Sequence, residues 1–472
     1  MNRQRFRSIL ALVTALALIT GCGASGTGTQ ENKPAESASV EAASTVEPAK
    51  PQEEEKTADA EGQVSPEAET PDAADTDASQ EEQQEEQPAE ESQDPLWYGD
   101  VPAVEIPKNE ALDFTAKLGA GYNLGNTFDA YNDTGIAADL SNELTTETYW
   151  QPVETTQKTI QGIADAGFKA IRIPVSWHNH VTGDVEISKA FLDRVNTVVD
   201  WALDAGLYVI INIHHDNHPE ANAYSPDKAH REQSLHYVTR IWQQVAERFK
   251  DYDERLIFES LNEPRLVGNE SEWWFSINFP PDDVKESIEI INELNQAFVD
   301  TVRSVEGKHR NCYLMCPGYD ASPDGALVEG FRLPTDAADI DNRIILAVHA
   351  YTPYNFALNE SGTEHFNPKN TSDKNDINAF ITRIYNAYVK EGIPVVIGEF
   401  GARDKNGNLQ DRVDYIRYYT AAAWAHGIPC FIWDNGAFSG SGEIFGIYDR
   451  AKGEAVYPDI IGAIVTNAVR RE

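Results

Sequence analysis

The sequence predicts a closed (β/α)8 barrel, the TIM-barrel fold, and three observations predict it. Eight short apolar runs rich in β-branched residues lie between positions 119 and 433, with amphipathic helical stretches between them. Continuous apolar runs are typical of strands buried on both faces of a parallel sheet. Four junctions share one form, in which a glycine ends a helix and a strand follows directly. An open doubly wound sheet is the alternative, but no G-x-G-x-x-G or P-loop follows any run.

The elements follow in order along the chain. The predicted strands cover 119–124, 169–174, 208–214, 256–261, 312–316, 344–349, 394–399 and 429–433. The glycines that end the preceding helices are Gly167, Gly206, Gly392 and Gly427. Repeated helix–strand units with right-handed crossovers lead to a parallel α/β fold. Eight strands in about 375 residues favour the closed barrel with long loops over the open sheet.

The N-terminus resembles a bacterial lipoprotein signal. Arg3, Arg5 and Arg7 precede an apolar run that is too short to span a membrane, and Cys22 follows its end. The motif Ile-Thr-Gly-Cys is similar to a lipobox, which implies cleavage before Cys22 and a diacylglycerol on its sulfur. An ordinary signal peptide with an incidental cysteine is the alternative. We therefore expect a signal peptide at 1–21 and a protein anchored on the outer face of the cell.

A charged linker is predicted at 22–95. Residues 23–95 hold 21 acidic residues, 3 lysines and no aromatic residue, so they cannot bury enough apolar surface to fold. The whole chain has 38 basic and 77 acidic residues, a net charge of −39. Such a charge excludes nucleic acid as a partner and disfavours phosphorylated substrates. Residues 96–472 show no composition break, so we expect one catalytic domain there and a monomer.

Polar residues end nearly every predicted strand. In a barrel of this kind the chemistry lies at the C-terminal ends of the strands. The residues at this position are Asn126, Arg172, His214, His215, Asn262, Glu263, His349, Tyr351, Glu399 and Trp433. Glu263 and Glu399 form the minimum set for cleaving a glycosidic bond, in which one carboxyl group donates a proton and the other stays ionised. Arg172 would keep its carboxylate partner ionised, and Glu259, in mid-strand, is expected to bind a structural partner.

The motifs RIPVSW, IHH, LNEP, HAY, GEFG and FIWDNG, in that order, resemble glycoside hydrolase family 5 over roughly residues 112–465. The opening GYNLGNTFD is similar to the bacterial endoglucanase branch of that family, which includes xyloglucanases and mixed-linkage glucanases. The resemblance implies a (β/α)8 retaining glycosidase with its acid/base after strand 4 and its nucleophile after strand 7. Glu263 and Glu399 stand at those two positions.

The resemblance also implies a role for each residue that matches a family motif. It makes Glu263 the general acid/base and Glu399 the nucleophile that forms a covalent glycosyl-enzyme, held by Arg172 and Tyr351. A cis peptide bond after Trp433 is also implied. The remaining implied roles are substrate contacts for Asn126, His214, His215, Asn262 and Trp433, with His349 supporting the carboxylates. Either histidine of the pair could be the family's strand-3 histidine, and we align His214 to it because it directly ends the apolar run.

The expected activity is therefore endo-acting, retaining hydrolysis of β-1,4-glucosidic bonds in cellulose, xyloglucan or mixed-linkage β-glucan. It needs no cofactor and no metal. Flat aromatic rings stack on sugar rings, and the candidates in loops are Trp177, Trp273, Trp274 and Tyr354, whereas Trp201 and Trp242 are expected in the core.

Three alternatives remain open at this stage. A β-mannanase or xylanase of the same clan would share the carboxylates and differ in its loops. A metal-dependent hydrolase could use the histidine-rich segment that holds Asp216 and His218, together with His349. A non-catalytic sugar-binding lipoprotein would use the aromatic residues alone. Cys312, Cys316 and Cys430 form neither a zinc pattern nor a disulfide framework. Cys312 and Cys316 lie in one apolar run, and we expect them to be buried thiols.

Overall fold

The computed structural model describes residues 94–132, 140–219, 222–336, 342–440 and 442–471. The predicted signal peptide at 1–21, Cys22, and the predicted linker up to residue 93 lie outside the described residues. Within the described ranges, no helix combines the length and the apolar character needed to cross a membrane.

Eight parallel strands form a closed barrel, which confirms the predicted TIM-barrel fold and excludes the open sheet. The strands are β1 Gly121–Leu124, β2 Ala170–Ile173, β3 Tyr208–Asn212, β4 Leu256–Glu259, β5 Leu314–Pro317, β6 Ile344–His349, β7 Val395–Phe400 and β8 Cys430–Asp434. Each strand pairs with its neighbours in sequence, and β1 pairs with β8 to close the ring. All eight lie within two or three residues of the predicted boundaries.

Helices follow the strands in the alternating order that a barrel requires. They are α1 Glu110–Ala116, α2 Gln157–Asp165, α3 Lys189–Asp204, α4 Arg231–Arg248, α5 Asp282–Ser304, α6 Pro323–Leu327, α7 Tyr354–Ala357, α8 Thr371–Ala387, α9 Leu409–Ala425 and α10 Pro458–Asn467. Two short antiparallel pairs, Val181–Thr182 with Glu186–Ile187 and Tyr448–Asp449 with Glu454–Ala455, decorate the loops.

Local sequence signals explain where the helices begin and end. Thr156 and Ser188 cap the N-termini of α2 and α3 by accepting a backbone N–H three residues on. The glycines before β2, β3, β7 and β8 all adopt the positive φ that L-residues avoid, which turns the chain from helix to strand. They are Gly167, Gly206, Gly392 and Gly427, with φ of 106°, 83°, 82° and 73°.

The core explains why the chemistry lies at one end of the barrel. Apolar residues from the strands fill the interior, and α1 closes the N-terminal end, where Phe114 stacks on Tyr313 with ring centroids 3.8 Å apart. The opposite, C-terminal end is lined by polar side chains. Cys312 and Cys316 are free and buried, as predicted, and Cys430 is also free and buried.

Candidate active site

Arg172 lies at the centre of the polar network. It is fully buried on β2, and its guanidinium donates to four side chains. Its Nη1 reaches Glu399 Oε1 at 2.7 Å, its Nε reaches Glu259 Oε2 at 2.7 Å and its Nη2 reaches Asn262 Oδ1 at 2.7 Å. A weaker bond of 3.1 Å joins Nη1 to Asn123. One cation therefore links strands β1, β2, β4 and β7.

Glu399 is held through both of its carboxylate oxygens. Arg172 donates to Oε1, and the Tyr351 hydroxyl donates to Oε2 at 2.9 Å. Burial, followed by the charge of Glu399, raises the pKa of Tyr351 well above 10, so the hydroxyl keeps its proton and remains a donor. These two donors, one of which is a cation, stabilise negative charge on Glu399. The carboxylate is only 5% exposed, and its orientation is fixed.

Glu263 lies in a different environment. Burial raises its pKa, although Arg265 and then Arg172 act in the opposite direction. His349 Nδ1 lies 2.9 Å from Glu263 Oε1. Burial lowers the pKa of His349 to about 4, so its ring is neutral.

The surroundings of His349 fix which nitrogen carries its proton. Nε2 is buried without a hydrogen-bond partner among the described residues, and it faces Gly398 so closely that a Cβ there would lie 2.9 Å away. The proton therefore belongs on Nδ1, which donates to Glu263 Oε1. Oε1 is then engaged as an acceptor, and Oε2 is the oxygen able to carry a transferable proton.

The two glutamates face each other across the mouth of the barrel. One carboxylate oxygen of each lies within 4.8 Å of the other and of a nitrogen of His349. Carboxyl groups about 5–5.5 Å apart suit a direct attack on the sugar, whereas a separation of about 6.5–9.5 Å is needed to admit a water between them. The spacing fits double displacement through a covalent intermediate.

His214 and Trp433 form a flat wall beside the carboxylates. Their rings are parallel within 2°, with centroids 6.0 Å apart. Asn212 Nδ2 donates to His214 Nδ1 at 3.1 Å and to Glu259 Oε2 at 2.9 Å, so the Nε2 of His214 carries the proton. Burial lowers the pKa of His214 well below 6.5, which makes it a neutral donor to a sugar hydroxyl.

A cavity of ≈ 420 Å³ extends from this wall. Its lining includes Asn126, His215 and Trp433, three of the predicted substrate contacts, together with Trp150 and Glu443. Burial lowers the pKa of His215 to about 3, so this ring is also neutral. Asn126 has φ of 56° because its N–H, like that of Thr127, donates to the Asp129 carboxylate in a tight turn.

A second cavity, of ≈ 220 Å³, lies among the loops that follow β4, β5 and β6. Trp273, Trp274, Asp320 and Thr352 are among its lining residues. Trp273, Trp274 and Tyr354 are 60%, 74% and 61% exposed, which confirms that these rings face solvent. The two tryptophans lie in the loop after β4 as predicted, whereas Tyr354 is the first residue of α7.

The expectation for Trp177 was wrong, since this ring is fully buried. Its indole N–H donates to the Asn212 carbonyl at 2.9 Å, and its backbone N–H donates to Asp216. Trp177 therefore packs behind β3 and does not reach the cleft. Trp242 is buried in the core as predicted, and Trp201 is partly buried and packs against the same core.

The expected cis peptide after Trp433 was also wrong. Among the described residues the cis bond is Thr352–Pro353. Trp433 and Asp434 both keep the β8 register, paired with Asn123 and Leu124 of β1. The Asp434 carbonyl accepts from Gly125 at 3.0 Å. The regular strand already carries the Trp433 ring to the cavity wall.

Among the described residues, the histidines of the alternative metal site fall into two separate groups: His214 and His215 lie near Asp129, and His349 lies near Glu263 and Glu399. Asp216 faces inward, where it accepts from the backbone of Trp177 and His178 and from the Tyr237 hydroxyl at 2.6 Å. Possible ligand atoms of Asp129, His214 and His215 do lie within 4.8 Å of one another. However, the two Asp129 oxygens already accept backbone N–H groups, and His214 Nδ1 accepts from Asn212.

Sequence reasoning missed several residues of the site. Asn123 and Asn212 form hydrogen bonds with Arg172 and Glu259, respectively. Each is a polar residue inside an apolar strand, GYNL or VIIN, and this was the signal that could have identified it. Trp150, Glu443 and Arg265 lie in loops, and no periodicity indicates where a loop residue points.

Comparison with known protein families agrees with this geometry. The model of the cellulase family, glycosyl hydrolase family 5, matches residues 130–439. Endoglucanase 1 of Ruminococcus albus is 40% identical over 361 residues, which cover 76% of this chain and 81% of that protein.

Solved structures give the same result. A family 5 lichenase from Caldicellulosiruptor sp. F32, a mutant in complex with cellotetraose, is 49% identical, with a TM-score of 0.76 over 79% of this chain and 99% of that one. A xyloglucan-specific endo-β-1,4-glucanase from a metagenomic library, in complex with cellotriose, is 35% identical, with a TM-score of 0.66 over 75% of this chain and 98% of that one. The barrel, the facing glutamates and these similarities together establish that the chain belongs to glycoside hydrolase family 5.

Proposed function

We propose that this protein is a retaining, endo-acting β-1,4-glucanase. The observation that carries the proposal is the pair formed by Glu263 and Glu399, whose carboxylate oxygens approach within 4.8 Å in opposed environments. Glu399 accepts from Arg172 and Tyr351 and is held as an anion. Burial raises the pKa of Glu263, which favours the protonated form that an acid catalyst needs.

Each group has one role in each of two steps. Glu399 attacks the anomeric carbon while Glu263 Oε2 gives its proton to the departing glycosidic oxygen, so the C–O bond breaks and a glycosyl–Glu399 ester forms. A water then loses a proton to Glu263 and attacks the same carbon, which releases Glu399. Both displacements invert the anomeric centre, and the product retains the β configuration.

The surrounding residues bind the sugar that reacts. Asn262 uses its Oδ1 to accept from Arg172, which leaves its Nδ2 free to donate to a sugar hydroxyl. His214 offers its Nε2–H, and the Trp433 face provides an apolar floor for the same ring. His349 keeps Glu263 aimed through the bond to Oε1. Asn126 and His215 would contact the next sugar in the larger cavity.

The substrate is a neutral β-glucan, such as cellulose, xyloglucan or mixed-linkage glucan. Trp433 lines the larger cavity, and Trp273 and Trp274 line the smaller one, so we expect a polymer bound across the mouth of the barrel to contact both cavities. Exposed Trp273 and Trp274 supply flat rings beyond the acid/base. The net charge of −39 disfavours anionic polymers and suits a neutral one.

A product analysis tests this proposal. Proton NMR of the first products from lichenan should show β-anomers that later mutarotate, and the viscosity of neutral hydroxyethylcellulose should fall well before reducing ends accumulate. A panel of xyloglucan, mannan and xylan should show preference for the glucans. Initial α-anomers would contradict the retaining mechanism. Preferred cleavage of mannan or xylan would indicate the neighbouring specificity, and sugar binding without hydrolysis would indicate a binding protein.

We also propose that Cys22 carries a lipid anchor and that the acidic residues 22–95 tether a monomeric catalytic domain, 96–472, to the outer face of the membrane. Two or more acyl chains hold a protein stably at a bilayer, whereas one does so marginally. Cys22→Ala should move the full-length protein from the membrane fraction to the medium or periplasm, with unchanged specific activity. Retention of the variant in the membrane fraction would contradict the lipid anchor.

A further inference from the structure

Arg265 is a charged residue beside Glu263 that the two-step reaction does not use. It follows Glu263 by two positions on the loop after β4, and its side chain is 17% exposed. Its Nη1 donates to the Glu263 carbonyl at 2.9 Å and lies 3.8 Å from Glu263 Oε2. Oε2 is the oxygen that remains free to carry the transferable proton, because His349 engages Oε1.

The guanidinium of Arg265 is shared with a second carboxylate. Its Nε donates to Glu272 Oε1 at 3.2 Å, and Glu272 Oε2 accepts the Gly268 N–H at 2.8 Å, which fixes that carboxylate. The guanidinium also lies over the Trp273 ring, 3.8 Å from its centroid. Arg265 is thus clamped between Glu272 and an aromatic face, at a distance from Glu263 Oε2 that is longer than a hydrogen bond.

The remaining charged and titratable groups around Glu263 come from every neighbouring strand. They are Arg172 on β2, Tyr224 beyond β3, Asp320 beyond β5, His349 and Tyr351 at β6, Glu399 on β7 and Glu443 beyond β8. Arg172 is committed to Glu399 and Glu259, and His349 is neutral. Arg265 is therefore the cation near Glu263 that is not already bound to the nucleophile.

Asp320 is a second carboxyl group close to Glu263. Its backbone N–H donates to the Pro264 carbonyl at 2.8 Å, so it is joined to the loop of Glu263. One of its carboxyl oxygens is buried without a hydrogen-bond partner among the described residues. Burial, and then the charge of Glu263, raises the pKa of Asp320 well above 3.8. Burial thus disfavours a second negative charge at Asp320, and Arg265 is the cation that faces both Glu263 and Glu272.

We propose that Arg265 is a positioning residue whose charge sets how readily Glu263 releases its proton, and that Glu272 moderates this effect by competing for the guanidinium. The inference rests on the proposed function, because it concerns the residue that sets the proton affinity of the proposed acid/base. A cation near Oε2 favours the ionised form that must act as base in the second step. A close ion pair between Arg265 and Glu263 would keep too little of Glu263 protonated for the first step. Glu272 prevents this pair because it binds the guanidinium of Arg265.

Two neutralising substitutions should move the pH profile in opposite directions. Arg265→Gln removes the cation, so Glu263 should hold its proton to higher pH. The midpoint of the alkaline fall in kcat/KM should therefore move up by about one pH unit. Glu272→Gln frees the guanidinium to approach Oε2, so the same limb should move to lower pH. Arg265→Lys keeps the charge and should restore most of the wild-type profile.

The test measures kcat/KM on soluble mixed-linkage β-glucan from acid to alkaline pH, with thermal unfolding of each variant to show that it is folded. Arg332→Gln is the control, because that arginine pairs with Glu289 on the outer surface and should leave the limb unchanged. Activity lost equally at every pH, or limbs displaced in the same direction by both substitutions, would overturn the inference. If the wild type fails to hydrolyse any β-glucan, the proposed function fails first.

Discussion

Glu399→Gln is expected to lower kcat on soluble β-glucan by about 10⁵-fold, because an amide cannot attack the anomeric carbon. The glutamine has nearly the same shape and can still contact Arg172 and Tyr351, so binding of cello-oligosaccharides should persist. Reducing-sugar assays measure the first effect, and titration calorimetry with cellotetraose measures the second. Glu289→Gln on α5, an exposed carboxylate bound to Arg332, is the matched control and should keep full activity.

Azide separates the roles of the two glutamates. With Glu399→Ala and an aryl β-cellobioside, azide should occupy the vacated space and give the α-glycosyl azide by one inversion. With Glu263→Ala, Glu399 still forms the ester with a good leaving group, and azide should then give the β-glycosyl azide. Exchanged products would mean that the two roles are exchanged. Full turnover in either variant without azide would contradict the double-displacement mechanism.

Arg172→Met is expected to have the largest effect on stability. The substitution leaves Glu259 and Glu399 buried without their cation, and removing one partner from a buried ion pair costs about 3–5 kcal/mol. Activity should fall as well, because the nucleophile loses the donor to Oε1. Urea unfolding followed by tryptophan fluorescence gives the change in unfolding free energy, and kcat/KM measured below the transition gives the change in activity.

A double variant separates the two consequences of this substitution. Arg172→Met with Glu259→Gln removes one unpaired charge, so it should recover part of the lost stability while activity stays low. Arg303→Met is the control, because that arginine forms a buried pair with Asp336 far from the cleft. It should lose stability but keep the kcat/KM of the folded enzyme. Wild-type activity in Arg172→Met would contradict the central place of Arg172.

The barrel could be predicted because its sequence signals are local. Each strand is a short apolar run, and glycines such as Gly167 and Gly206 mark the helix ends by a conformation that other residues avoid. Strand order then follows from the fold, since consecutive parallel strands lie side by side. Glu263, just after β4, and Glu399, on β7, are therefore predicted at the same rim of the barrel.

Contacts within the site depend on side-chain direction, which the sequence does not encode locally. Glu259 was expected to have a structural partner, but its partner, Arg172, also binds Glu399. Trp177 was expected in the cleft, yet its indole points to the Asn212 carbonyl. The pairing of Arg265 with Glu272 spans a long loop, and only the folded chain shows that Arg265 lies over Trp273.

The close approach of Gly398 to His349 limits how this enzyme can be engineered. Any side chain at position 398 would press on the imidazole that orients the acid/base, and the Gly398 carbonyl is already engaged by Asn123 at 2.9 Å. Mutant libraries aimed at new substrates should therefore leave the inner ring of strands untouched. Substitutions are better introduced at the exposed residues Trp274 and Tyr354, because new side chains there would face solvent and leave the reacting groups in place.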